Sequence, residues 1–317
     1  MVPGSRGRSV AIALATLAAF LWATYYVFVL WLAPSTSASA VLIWPFFVGG
    51  GLFALYAVAK GQGAAFCRLW ADPAAWLRIL FAVGMQISTL AATYTAGPID
   101  TSLLALIGDV VVAPLVLMVL YLEGRDRLRS REFIAGLSLS VVGGALTIVG
   151  GHAIAPITGW AVLVIPILPI SVALYFVTTA RAARSVPISA LNAQAFLGAG
   201  IVLLVLSPVL PGGVSGLWTL DITSTGLLVV LGAITFFLAP LFYFLAVEKA
   251  GLILAALLMA SIPVFTLALS VGVLGIVPTL LGALGVPVAL LGAIFAIQGN
   301  HPPWTPDYKS GGGASAG

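Results

Sequence analysis

Asp109 is the residue whose chemistry is hardest to explain as packing. It lies about eight residues into an apolar run over 101–122, and a helix rises about 1.5 Å per residue, so the carboxyl is expected deep in hydrocarbon. An acid at the centre of a membrane helix costs about 2.5–3.5 kcal/mol on insertion scales, and such residues face the bundle interior. Two readings fit: a protonation site or partner for a substrate amine, or a structural acid hydrogen-bonded to neighbouring helices. Ser102, seven residues earlier, falls on the same helix face.

Other polar and aromatic residues recur at helical spacing. Gln86, Thr89 and Thr93 stand at i, i+3 and i+7 and share one face. Lipid offers them no partner, so that face is expected to look inward, as a cavity wall or as interhelical hydrogen bonds. Trp22, Tyr25 and Tyr26 sit mid-run, as do Ser171, Tyr175 and Thr178. Phe236 and Tyr243 are seven apart. A midplane aromatic pocket built from these would suit amphipathic or aromatic solutes and would bind cations through ring faces; ordinary core packing is the alternative for any one ring. Pro114, Pro166, Pro169, Pro240 and Pro263 interrupt apolar runs. Each removes a backbone donor and can kink a helix, as a hinge or as a tolerated bend.

The elements that must position these residues follow from composition. Hydrophobic residues make up 62% and charged residues 7% of the 317-residue chain, against roughly 25% charged in a soluble domain. The solvent of such a chain is largely lipid. Ten long apolar runs are expected as helices, at about 9–32, 37–60, 75–96, 101–122, 132–150, 157–180, 188–208, 224–246, 250–272 and 277–298. They are continuous rather than alternating, which favours a helical bundle over a barrel. The first run is too long for a cleaved signal segment and is read as retained. With Cys67 as the one cysteine, an internal disulfide or cysteine-rich metal site is excluded.

Basic residues orient the bundle, because short Lys- and Arg-rich loops stay cytoplasmic. With ten spans, all 13 Lys and Arg fall on one side, and both termini are expected in the cytoplasm. Arg78 is assigned with Lys60 and Arg68 to the flanks of one such loop. The run from Glu123 to Glu132, with Arg125, Arg127, Arg129 and Arg131, reads as a topology-setting loop against anionic lipid headgroups rather than a nucleic-acid surface. Without a deep Arg or Lys, a highly charged anion is a poor solute.

The chain also repeats itself. Gly143, Ile148, Gly150 and His152 match Gly292, Ile297, Gly299 and His301, 149 residues on. Ser37–Val41 and Pro187–Leu191 open equivalent runs, and Ala96–Ile99 matches Ala250–Ile253. Two copies of five helices follow: residues 1–152 and 153–301, with a flexible cytoplasmic tail at 302–317. An odd number of spans inverts the second copy, an arrangement found in secondary transporters with a midplane site. His152 and His301 then lie on opposite faces and read as helix-end residues, not a metal pair.

At this point the chain resembles the drug/metabolite transporter superfamily, in its EamA-type branch. The residues that carry the resemblance are Phe20–Phe28 in the first run, Ala250–Gly275 with Pro263, and the closing Gly282–Phe295. The resemblance implies an all-α polytopic membrane protein of ten helices in two inverted repeats. It implies export or exchange of small metabolites, often amino acids or related compounds, through a central cavity. It implies cavity walls from spans one, three, four, six, eight and nine. No cofactor is expected; the partners are a small solute and membrane lipid, and the place is the cell membrane, the inner membrane if bacterial. Nothing resembles a nucleotide-binding loop, and a membrane enzyme would want clustered His, Asp or Glu. A membrane subunit of a larger permease is the other reading.

Overall fold

The computed structural model describes residues 5–112, 115–116, 130–150, 161–250, 258–259 and 261–298. The described residues are helices and loops, with no strand among them. In chain order the helices are α1 (Ser5–Leu32), α2 (Ala38–Ala59), the short α3 (Gly63–Leu69), α4 (Pro73–Thr95), α5 (Pro98–Ile107), α6 (Arg131–Gly150), α7 (Ile167–Ala182), α8 (Ile188–Leu206), α9 (Ile222–Leu231), α10 (Ala239–Ala250), α11 (Ile262–Leu274) and α12 (Leu280–Gln298). Helix is present in each of the ten expected ranges. Five stretches are by themselves long and apolar enough to cross a membrane: Ser9–Leu32, Ala38–Ala59, Pro73–Thr95, Ile188–Val209 and Ile222–Lys249. The short helix α3, inside a loop, was not expected.

The outside of the bundle is apolar. Leu55, Val205 and Leu280 are each more than two-thirds exposed, while Gln86, Thr93 and Gln194 are buried. A water-soluble bundle has the opposite arrangement. The architecture is that of a polytopic membrane protein, in which backbone groups are satisfied within each helix.

Local chemistry sets the helix ends. Ser37 and Asp72 accept from the backbone N–H of Ala40 and Ala74 at the starts of α2 and α4, filling donors that a helix start leaves open. Gly97 joins α4 to α5 with φ 102°, a conformation that suits glycine. A wider π segment, Gly232–Leu238, joins α9 to α10 and ends just before Pro240. Proline lacks an N–H and its ring clashes with the carbonyl four residues back, so the backbone widens there instead of breaking. A second π turn, Gly108–Val112, follows α5 and precedes Pro114 in the sequence.

Two helix pairs carry the tightest packing, and each pair joins elements the sequence repeat makes equivalent. In α6 and α12, a Cβ on Gly143 would lie 2.2 Å from the Ala289 nitrogen, and one on Gly292 would lie 2.3 Å from the Ser140 nitrogen. Moving Gly143 and Ser140 along by 149 gives Gly292 and Ala289. The two contacts are therefore one contact seen twice, and the helices run antiparallel. In α2 and α8 the same holds at an offset of 150: Gly50 packs on Leu197, and Gly200 packs on Phe47. The ends of this second pair are clasped alike. Ser39 Oγ donates to the Gly213 carbonyl at 2.9 Å, and Ser189 Oγ donates to Gln62 Oε1, so each helix start is tied to the loop after its counterpart. Small residues at both crossings let backbones approach closely, the usual device where hydrophobicity cannot hold helices together.

Candidate functional site

The expected cavity residues fall on an interior aromatic cluster. Tyr25 of α1 lies 5.5 Å from Phe236 of the π segment, edge to face. Phe236 also meets Phe46 at 4.8 Å and Phe196 at 5.7 Å. Tyr175 of α7 stacks on Phe196 at 6.1 Å and 16°. A second group lies further along α1: Trp22 sits 5.7 Å from Tyr243 and 6.4 Å from Phe176. Ring pairs at these separations and tilts contribute about 0.5–1.5 kcal/mol each beyond the area they bury. Phe236 and Tyr243 thus both face α1, but in different groups. The widened backbone between α9 and α10 lies where their shared element changes register.

Phenol groups within this apolar interior call for partners, and Tyr25 and Tyr175 each have one on another helix. Gln86 Nε2 donates to the Tyr25 hydroxyl, linking α4 to α1. The Tyr175 hydroxyl donates to Asn192 Oδ1 at 3.0 Å, linking α7 to α8. Tyr25 and Tyr175 are 150 residues apart, the offset that relates α2 to α8. Each half of the chain therefore holds one buried phenol on its opening helix, anchored to another helix by an amide.

The polar face of α4 is buried throughout: Gln86, Thr89 and Thr93 are 2%, 5% and 0% exposed. Thr93 Oγ1 donates to the Thr89 carbonyl at 2.7 Å and to Thr101 Oγ1 of α5 at 3.3 Å. Ser102 is buried and donates to the Ile99 carbonyl at 2.7 Å. Ser171 is buried and packs close to Gly84 of α4, while Thr178 spends its hydroxyl on its own helix, on the Leu174 carbonyl at 2.6 Å. Tyr26 is partly buried and lies 6.1 Å from Tyr25. The backbone of Asp109 lies in the π turn Gly108–Val112; its side chain, Pro114, His152 and His301 lie outside the described residues.

The proline positions separate by where each meets its helix. Pro166 caps α7 and Pro169 falls in its first turn, where a missing N–H costs nothing. Pro263 likewise sits in the first turn of α11, after a break at Ser261. Pro240 abuts the π segment. Among the described residues, Pro45 and Pro287 stand inside helices, α2 and α12, and neither is among the expected hinges.

Four further buried polar residues were not among the expected site residues. Arg78, assigned to a loop flank, is 3% exposed in the second turn of α4. This corrects the expectation that the bundle holds no inner cation. Asn192 and Gln194 of α8 are 1% and 0% exposed. Asp100, at the start of α5, is also buried at 5%. The signal for Arg78 was present: it lies beyond Trp76 in a run that is otherwise apolar, but counting charges by loop conceals which way a helix faces.

Comparison with known proteins places this architecture. Residues 159–298 match the EamA-like transporter family, a range inside the expected second half. Ten chains of solved structure match as well. One crystal structure, at 21% identity, superposes with a TM-score of 0.65 over 91% of this chain and 96% of its own, which shows a shared fold. No curated protein matches the sequence.

Proposed function

We propose that this chain, a multi-pass membrane transporter of small molecules with an EamA-like region at residues 159–298, is a secondary transporter working by alternating access. Residues 1–152 and 153–301 act as two inverted five-helix halves, with both termini in the cytoplasm. The observation that carries the reading is the duplicated contact, Gly143 on Ala289 and Gly292 on Ser140. A seam that reads the same from both halves lets them exchange shapes, so an outward-open state has an inward-open mirror of similar energy. Solute binds between the halves, against the rings of Trp22, Tyr25, Tyr26, Tyr175, Phe236 and Tyr243 and the polar face of Gln86, Thr89, Thr93, Ser102 and Ser171. Amino acids or related metabolites, moved outward or exchanged, fit an aromatic lining that carries few charges. Pro114, Pro169, Pro240 and Pro263 bend the moving helices. Asp109 takes and releases the coupling proton.

The test is flux. Purified protein in liposomes, with no other subunit, is expected to exchange radiolabelled amino acids from a mixed panel, faster with an imposed pH gradient. Asp109→Asn is expected to remove the pH dependence while the protein still folds. Absence of any saturable flux would refute the transporter reading. Intact pH dependence in Asp109→Asn would refute the role of that carboxyl alone.

A further inference from the structure

Three helices bring a set of buried donors together on one side of the aromatic cluster. Arg78 of α4 is 3% exposed, and its Nε and Nη2 have no hydrogen-bond partner. Asn192 and Gln194 of α8 are 1% and 0% exposed. Asn192 Nδ2 and both terminal atoms of Gln194 are also without partners. The contacts around them set the register. Ala75 packs in one cluster with Leu191, and Ile79 packs against Gly198. Arg78 precedes Ile79, and Gln194 lies between Leu191 and Gly198 on the same face, so both residues stand along the seam of α4 and α8, with no hydrogen bond between them. Asn192 reaches the same region through its bond with Tyr175 at 3.0 Å, and Tyr175 acts electrostatically on the guanidinium.

Such a set is expensive to keep. A buried donor without a partner costs about 1–3 kcal/mol, and more when charged. The acid acting on Arg78 is Asp72, which spends Oδ1 on the Ala74 N–H at 2.9 Å. The fold does not require the expense, as its other half shows. The contact of Ile79 on Gly198 recurs as Gly232 on Val48, which relates Arg78 to Leu231. The offset of 150 relates Asn192 to Leu42 and Gln194 to Trp44. Leu231 and Leu42 are buried at 2% each in the main apolar core. The same scaffold packs there with hydrocarbon at Leu231 and Leu42, and Trp44 spends its indole N–H on the Leu217 carbonyl at 3.3 Å.

We infer that Arg78, Gln194 and Asn192 form the binding site for the carboxylate of a small monoanionic solute, with Tyr175 and Phe196 against its apolar remainder. The guanidinium fork matches a carboxylate in two parallel hydrogen bonds, and the two amides supply further donors. One cation with neutral donors balances one negative charge, which disfavours a phosphate ester. The site names the solute class for the transport reading above and rests on it.

The experiment is ligand binding to the purified protein, read by intrinsic tryptophan fluorescence and by the shift in unfolding temperature. The probes are benzoate, 3-phenylpropionate and L-phenylalanine, each beside its primary amide, together with inorganic phosphate. At least one carboxylate is expected to bind tenfold or more tightly than its amide. Arg78→Gln is expected to erase that preference and Arg78→Lys to keep part of it. Gln194→Leu, a milder change, is expected to weaken the carboxylate severalfold and leave the amide unchanged. The inference is overturned if no carboxylate outbinds its amide, if phosphate alone binds, if the preference survives in Arg78→Gln, or if it is undiminished in Gln194→Leu. Binding with this preference but without liposome flux would overturn the transport reading and leave the site standing. Flux of neutral solutes without the preference would do the reverse.

Discussion

The seam of α6 and α12 can be tested by filling it. A Cβ on Gly143 would sit 2.2 Å from the Ala289 backbone nitrogen, where ordinary contact begins at 3.4 Å, so the helices must part by about 1.2 Å. The neighbour is backbone and cannot rotate away. At Gly292 the corresponding gap is 2.3 Å against Ser140, a shortfall of about 1.1 Å. Valine adds this bulk without the helix preference that alanine would bring. Overpacking costs about 1–3 kcal/mol, sometimes more, and backbone contacts this short belong at the upper end. Gly143→Val and Gly292→Val are each expected to cost about 3 kcal/mol, and the two costs to agree within about 1 kcal/mol. The double variant is expected to cost clearly less than the sum, because helices already forced apart have room for the second side chain. The assay is equilibrium unfolding in mixed micelles, followed by tryptophan fluorescence. Single losses below about 1 kcal/mol, strongly unequal losses, or full additivity would each refute the paired contact.

Two further outcomes follow from named groups. Cys67 is exposed in α3, between basic residues read as cytoplasmic, so a membrane-impermeant maleimide is expected to label the unaltered protein only from the cytoplasmic face; labelling from outside would reverse the topology. Tyr25→Phe removes the acceptor of the Gln86 amide and leaves a buried donor unpaired, with an expected loss of about 1–2 kcal/mol in the same unfolding assay. Adding Gln86→Leu is expected to recover most of that loss, since removing both partners costs little; no recovery would show that the bond does not hold α1 to α4.

Length, hydropathy and repetition made the helices legible. The apolar runs located helix in every expected range, and the repeated ending at Gly143 and Gly292 marked two residues that both lie in the close seam of α6 and α12. Tyr25 and Tyr175 were legible too, because a phenol in mid-run draws notice. What escaped notice depends on rotation about the helix axis. Arg78 was counted with a loop because it lies near a helix start, yet Leu77 and Leu80 beside it are about half exposed while the arginine turns inward. Asn192 and Gln194 are two residues apart, a spacing that puts them on different faces of an isolated helix. They are both buried because α8 is flanked by α2, α4 and α7, a circumstance no local pattern records. The π segment at Gly232–Leu238 escaped for a related reason: Pro240 announces a disturbance, but a wide turn and a kink begin from the same residue.

The repeat nevertheless supplies a control that a single helix lacks. Wherever the two halves carry the same residue type, as at Tyr25 and Tyr175, both copies face the same packing problem, so the match by itself does not point to a solute. Wherever they differ in kind, packing has already been solved without the costlier member. Leu231 and Leu42 provide that solution for Arg78 and Asn192. Exchanging the character of the two sides is therefore informative in both directions. Arg78→Leu, which copies the Leu231 side, is expected to leave stability unchanged or raise it, as replacing buried charge by matched hydrocarbon often does. A loss of about 3 kcal/mol or more, the size expected when a buried ion loses its partner, would instead mean that the guanidinium holds the fold together and is not kept for a solute.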